Sequence, residues 1–139
     1  MQTRRSVGLG LALAVVLAAP APAQTVPPAP AGETASQFYL RYRASIPAAA
    51  TLDQIVAHWS SDQRQEFSAA PSAERPDLAL VKSVYAATTN VTVTKEAATP
   101  NYATLDLAGV MGGKAVTATV QLVREDGAWK VASGPERWQ

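Results

Sequence analysis

The chain has 139 residues, with twelve Lys and Arg, eleven Asp and Glu, one His and no Cys. Near-balanced charge excludes the basic footprint of a nucleic-acid binder. The missing Cys excludes disulfides, thiolate metal sites, a Cys nucleophile and a lipid-carrying Cys, so one hydrophobic core must hold the fold.

Arg4 and Arg5 precede an uncharged apolar run, Val7–Ala19, and a small-x-small site, Ala21-Pro22-Ala23. That order reads as a secretory signal peptide over residues 1–23, cleaved after Ala23, and the run is too short to span a bilayer. Thr3-Arg4-Arg5-Ser6 also admits a twin-arginine reading, so the export route stays open. Without Arg4 and Arg5, ten basic residues face eleven acidic ones, a formal −1. Periplasmic or secreted bacterial localisation is the expectation, with no membrane insertion after cleavage. Residues 24–33, with Pro27, Pro28 and Pro30 among Ala and Val, read as a disordered Pro/Ala-rich leader.

A single α+β domain is expected over residues 34–139. Thr34-Ala35-Ser36-Gln37 fits a capping box, and Ala35, Phe38, Tyr39, Tyr42 and Ile46 recur at helical spacing up to Pro47. This places Arg41 and Arg43 on the solvated side of the first helix. Thr51-Leu52-Asp53-Gln54 fits a second capping box, before a short helix with Leu52, Ile55, Val56 and Trp59 on one face. Ser60–Ala69 is a polar helix anchored by Phe67 and stopped by Pro71. Ser72 or Asp77 caps a last helix carrying Leu78, Val81, Val84 and Tyr85.

Past Thr89 the apolar period becomes two. Strands are predicted at Val91–Glu96, Tyr102–Val110, Ala115–Arg124 and Ala128–Ser133, joined through two-residue turns at Gly112-Gly113 and Asp126-Gly127. Pairing outward from these turns sets Leu107 opposite Ala118, Leu105 opposite Val120 and Ala103 opposite Leu122, then Leu122 opposite Val131 and Arg124 opposite Trp129. Val91, Val93, Ala103, Leu105, Leu107, Val116, Ala118, Val120, Leu122, Trp129 and Val131 therefore share the inward face. Thr92, Thr94, Thr104, Asp106, Thr117, Thr119, Gln121 and Lys130 share the outward one. A sheet with one polar face lays its other face on helices: N-terminal helices packed on one face of a curved four-stranded antiparallel meander.

Helices followed by a meander that closes on Asp-Gly-Ala-Trp-Lys-Val (Asp126–Val131) resemble the nuclear transport factor 2-like superfamily, whose fold is cystatin-like. The resemblance covers Thr34–Val131. Many members end in a hairpin of the form acidic-Gly-x-Trp-Lys-apolar, so the resemblance implies that Trp129 closes the wide end of a cone. The superfamily includes isomerases, dehydratases, cyclases, small-ligand binders and exported domains. Its enzymes place an Asp, Tyr or His inside the cone, and they have a strand pair between the second and third helices that this chain lacks.

The residues themselves show no catalytic constellation. His58 is the only histidine, with no acid spaced to orient it, and no Gly-x-Ser-x-Gly elbow exists. No metal-ligand spacing and no cofactor motif are present. Gly112-Gly113 joins two strands and so is no phosphate loop. If the cone is hollow, Tyr42, His58, Trp59, Tyr85 and Trp129 line it; if it is filled, the same aromatics are core. Arg124 opposite Trp129 sets a guanidinium over an indole face. The polar Thr face allows a monomer or a weak dimer.

The expectation is thus an exported, non-enzymatic domain binding a small apolar ligand or an envelope protein partner. The alternatives are a cofactor-independent lyase or isomerase working through Tyr42, Tyr85 or His58, and an accessory subunit of an envelope complex.

Overall fold

A computed structural model describes residues 31–139. The signal peptide and most of the leader expected from the sequence lie outside the described residues. At the leader's end, Glu33 accepts two hydrogen bonds from Arg41, at 2.7 and 2.8 Å, and packs with the domain.

Four helices come first: α1 (Ala35–Ser45), α2 (Leu52–Val56), α3 (Ser61–Ala69) and, after a 3-10 turn at Ser72–Glu74, α4 (Leu78–Ala86). The first capping box forms as predicted. Gln37 N donates to Thr34 Oγ1 at 3.1 Å, and Thr34 N donates to Gln37 Oε1 at 2.9 Å. The second does not: Thr51 makes no side-chain cap, because the Gln54 side chain reaches past it to accept from Ala50 N at 2.7 Å. Ser60 caps α3, and Asp77, not Ser72, caps α4 by accepting from Leu80 N at 2.8 Å.

The four strands are β1 (Thr88–Ala98), β2 (Tyr102–Met111), β3 (Lys114–Glu125) and β4 (Ala128–Val131), antiparallel in the order β1-β2-β3-β4 in an open sheet. Every predicted pair of the two hairpins is present. The cause is local. Gly112, Gly113, Asp126 and Gly127 have φ of 57°, 78°, 50° and 78°, as tight turns between right-twisted strands require. β4 ends two residues early, because Ala132 N and Ser133 N both turn to the same carbonyl, that of Gln121.

β1 departs from simple alternation. Register shifts between Thr89 and Thr92 and between Val93 and Lys95 insert extra residues opposite β2. At the first shift Asn90 takes φ 54°. Gly109 lies across from it, where a Cβ would come within 2.7 Å of Thr88 Cγ2 and 3.2 Å of Thr89 O. Bulges bend and twist a strand. The second shift sends Glu96 to α1, where its carboxylate accepts from Ser36 N and Oγ, both at 2.7 Å. A carboxylate at a helix N-terminus meets unpaired amides and the positive end of the helix dipole.

The core lies between α1 and the inward sheet face. Ala35, Phe38, Tyr39 and Tyr42 of α1, with Ile46 at its C-cap, are buried against Ala103, Leu105, Leu107, Ala118, Val120, Leu122, Trp129 and Val131. Val91 and Val93 are half-buried against this cluster. The Thr row points outward as expected. Lys130 corrects that face: it is half-buried and donates to Ala57 O at 2.9 Å, ending α2 instead of standing in water.

Candidate functional site

Between α2 and α3 the chain runs alongside β4. Ser60 N donates to Val131 O and Val131 N donates to His58 O, both at 2.8 Å, in a parallel bridge centred on Trp59 and Val131. This short lane sets His58 and Trp59 beneath the sheet. The helical pattern gave no sign of it, since two backbone bonds leave no period.

His58 is buried with its ring 5.3 Å from that of Tyr42. Its Nδ1 lies 3.0 Å from Gln54 O; a carbonyl only accepts, so Nδ1 carries the proton. Burial pushes the imidazole below its ordinary value, and the Arg41 and Lys130 charges push the same way against the hydrogen bond. The folded state therefore binds fewer protons than the unfolded chain. This contribution to stability is complete above the unfolded value of about 6.5 and is lost as pH falls through the lowered folded value. Thermal melts of the wild type are expected to lose stability as pH drops from neutrality toward 5, and His58→Gln is expected to flatten that slope.

Tyr42 sits at the centre, fully buried. Its hydroxyl accepts from Trp59 Nε1 at 2.9 Å and shares a hydrogen bond with the Tyr85 hydroxyl at 3.0 Å. Desolvation is the main cause raising both phenols, so both stay protonated at neutral pH. Trp59 turns its other edge toward Phe67 of α3, ring centroids 5.6 Å apart at 84°.

Four of the five residues singled out from the sequence thus come together: Tyr42, His58, Trp59 and Tyr85. Trp129 stands apart from them, near the Asp126-Gly127 turn, with the Arg124 guanidinium 4.4 Å from its ring centroid. Its Nε1 is buried without a hydrogen-bond partner among the described residues.

Tyr42 and His58 fill the interior, whereas Trp59 and Tyr85 reach its edge. There they line a groove of about 450 Å³ with Phe67 of α3, Leu80 and Val84 of α4, and Val131. Gln63 and Glu66 of α3, Pro76 and Val81 also line it, as do residues Ser133, Gly134 and Pro135 past the end of β4. Leu80 is 53% exposed and Val84 47%. Sequence reasoning missed Phe67, Leu80 and Pro135 as groove residues. The available signal was α4, apolar at Leu80 and Val84 as well as along Val81 and Tyr85, too broad a stripe for a helix with one buried face.

Arg43 is the largest correction. Placed by spacing on the solvated side of α1, its side chain is only 12% exposed and pairs with Glu136, whose own is 4% exposed. Arg43 Nε donates to the two carboxylate oxygens at 2.9 and 3.3 Å, and Nη2 donates to Tyr85 O at 3.2 Å. Tyr39, also on α1, helps hold the Glu136 carboxyl down against burial. Burial pushes the Glu136 carboxyl above its ordinary value, while Arg43 pulls it back.

Among the described residues no three His, Asp or Glu side chains cluster as a metal site, and no helix is long and apolar enough to cross a membrane. Compared with protein-family models, with curated proteins and with solved structures, the chain gives no match.

Proposed function

We propose that this chain is an exported, non-enzymatic domain of the cystatin-like, nuclear transport factor 2-like kind that binds a small apolar ligand between α3, α4 and the residues after β4. One observation carries this reading: a groove of about 450 Å³ whose aromatic wall, Trp59, Phe67 and Tyr85, faces exposed Leu80 and Val84. Ligand sites are typically concave, mainly apolar and roughly 300–1,000 Å³. Large aliphatic side chains left half in water beside such a groove gain free energy when a ligand covers them.

The superfamily reading rests on the helices-then-meander order and on the Asp126–Val131 hairpin with Trp129 buried in it. A lyase or isomerase would need a polar group aimed at substrate as a proton acceptor. Here the Tyr42 and Tyr85 hydroxyls bond each other and stay protonated, and His58 turns Nδ1–H to Gln54 O. These arrangements favour binding over catalysis.

The test uses the neutral apolar dye N-phenyl-1-naphthylamine, titrated into the exported protein. Saturable fluorescence enhancement is expected. Leu80→Asp and Val84→Asp are expected to weaken binding by roughly tenfold or more, since a carboxylate in an apolar groove must be desolvated. Both positions are exposed, so their melting temperatures should stay near that of the wild type. No saturable binding, or variants that bind as the wild type does, would overturn the reading.

A further inference from the structure

Residues 132–139 are held to β3 at two places. Ala132 N and Ser133 N donate to Gln121 O, and Gln139 exchanges two backbone bonds with Thr117, each 3.0 Å. Between these pins the chain leaves the sheet and carries Glu136 to Arg43 of α1. Trp138 packs against the core on the way back.

Three features set this ion pair apart from ordinary surface pairing. Arg43 belongs to α1, and the backbone oxygen it also binds, Tyr85 O, belongs to α4, so the guanidinium is positioned without the tail. The acceptor, by contrast, arrives on the segment past β4, outside the β1–β4 ladder. The same segment supplies Ser133, Gly134 and Pro135 to the groove, and Tyr85 is shared between the groove and the Arg43 site.

We propose that Arg43 forms a carboxylate-binding site that Glu136 fills in cis, and that the groove's ligand is a carboxylic acid with an apolar body whose headgroup takes the place of Glu136. This rests on the groove being a ligand site and names the class of molecule it takes. The exchange is close to balanced electrostatically: one carboxylate leaves Arg43 for water as another leaves water for Arg43. Burial of the ligand's apolar body along Trp59, Leu80 and Val84 then drives it. A neutral amphiphile gains no such exchange, because displacing Glu136 with it would strand a buried guanidinium. The planar fork of Arg43 suits two-oxygen recognition, as its bonds to both Glu136 oxygens show.

Decanoate and decanol, titrated separately below their aggregation limits, test this by calorimetry, with amide and indole NMR signals of Gly134, Trp138 and Gln139 as the tail readout. Decanoate is expected to bind at least about tenfold more tightly than decanol and to move the tail signals to unstructured positions. Glu136→Ala, which removes the internal competitor, is expected to tighten decanoate binding further. Arg43→Met should erase the preference for decanoate while decanol still binds; Arg43→Lys, which keeps the charge and loses the fork, should reduce it. Equal affinities with unmoved tail signals would sink the carboxylate site and leave the groove standing. If neither compound binds and the neutral dye also fails, the groove reading falls with it.

Discussion

Leu122→Ala is expected to lower the unfolding free energy by about 2–5 kcal/mol, among the worst single changes in the sheet. Leu122 is 1% exposed and belongs to both hairpins, opposite Ala103 in β2 and Val131 in β4. Truncation removes apolar contacts and leaves a cavity that cannot collapse, because the strands on either side are held in register by backbone bonds. Thr119, three positions earlier on β3, is the control. It is exposed and its hydroxyl donates to Asp106 Oδ1 at 3.1 Å on the solvated face. Thr119→Ala should therefore stay within about 0.5 kcal/mol of the wild type. Urea melts of the two variants compare these directly, and the reverse order would mean that the two faces are exchanged.

Tyr42→Phe is the second large effect, and it acts through one oxygen atom. The ring stays, and with it the packing against Phe38, Tyr39, His58 and Tyr85. The lost hydroxyl, however, leaves Trp59 Nε1 without its acceptor and Tyr85 without its hydrogen-bond partner. A buried donor stripped of its partner costs its desolvation, about 1–3 kcal/mol, well above the net worth of an ordinary hydrogen bond. Combining Tyr42→Phe with Trp59→Phe separates this from a packing loss. When both ends of a buried hydrogen bond become apolar the penalty shrinks, so the double variant should be more stable than the sum of the single losses implies. Strict additivity in denaturant melts would show that the hydroxyl chain contributes no coupling.

Much of the sheet could be read from one dimension because its determinants are local. A turn that needs φ > 0 at consecutive residues names its own position, and period-two alternation then assigns every side chain to a face. Hence Leu107–Ala118, Leu105–Val120 and Arg124–Trp129 were predictable pair by pair. The first helix was legible for the same reason: a capping box and an apolar stripe both lie within one element. Thr51 marks the limit of such motifs. Its spacing to Gln54 was right, yet the Gln54 side chain found a backbone amide one residue earlier.

The candidate site was legible only in its aromatic members. Tyr42, Trp59 and Tyr85 lie on apolar stripes, and large rings on such stripes meet inside. That their polar tips form a chain was not readable, since 17 and 43 residues separate the bonded partners. The bulges of β1 were hidden as well, because they depend on the empty Cβ position at Gly109 on a different strand.

The amino-acid sequence alone determined the α+β order, the hairpin registers and the inward and outward faces, all consequences of short-range sterics and periodicity. Tertiary structure alone decided that His58–Ser60 joins β4, that Lys130 turns from water to α2, and that Arg43 points inward to Glu136, 93 residues away. Helical spacing shows which side of a helix is polar, but it does not reveal what later segment will cover that side. Only the returning chain, with a carboxylate to match the guanidinium, made burial of Arg43 favourable.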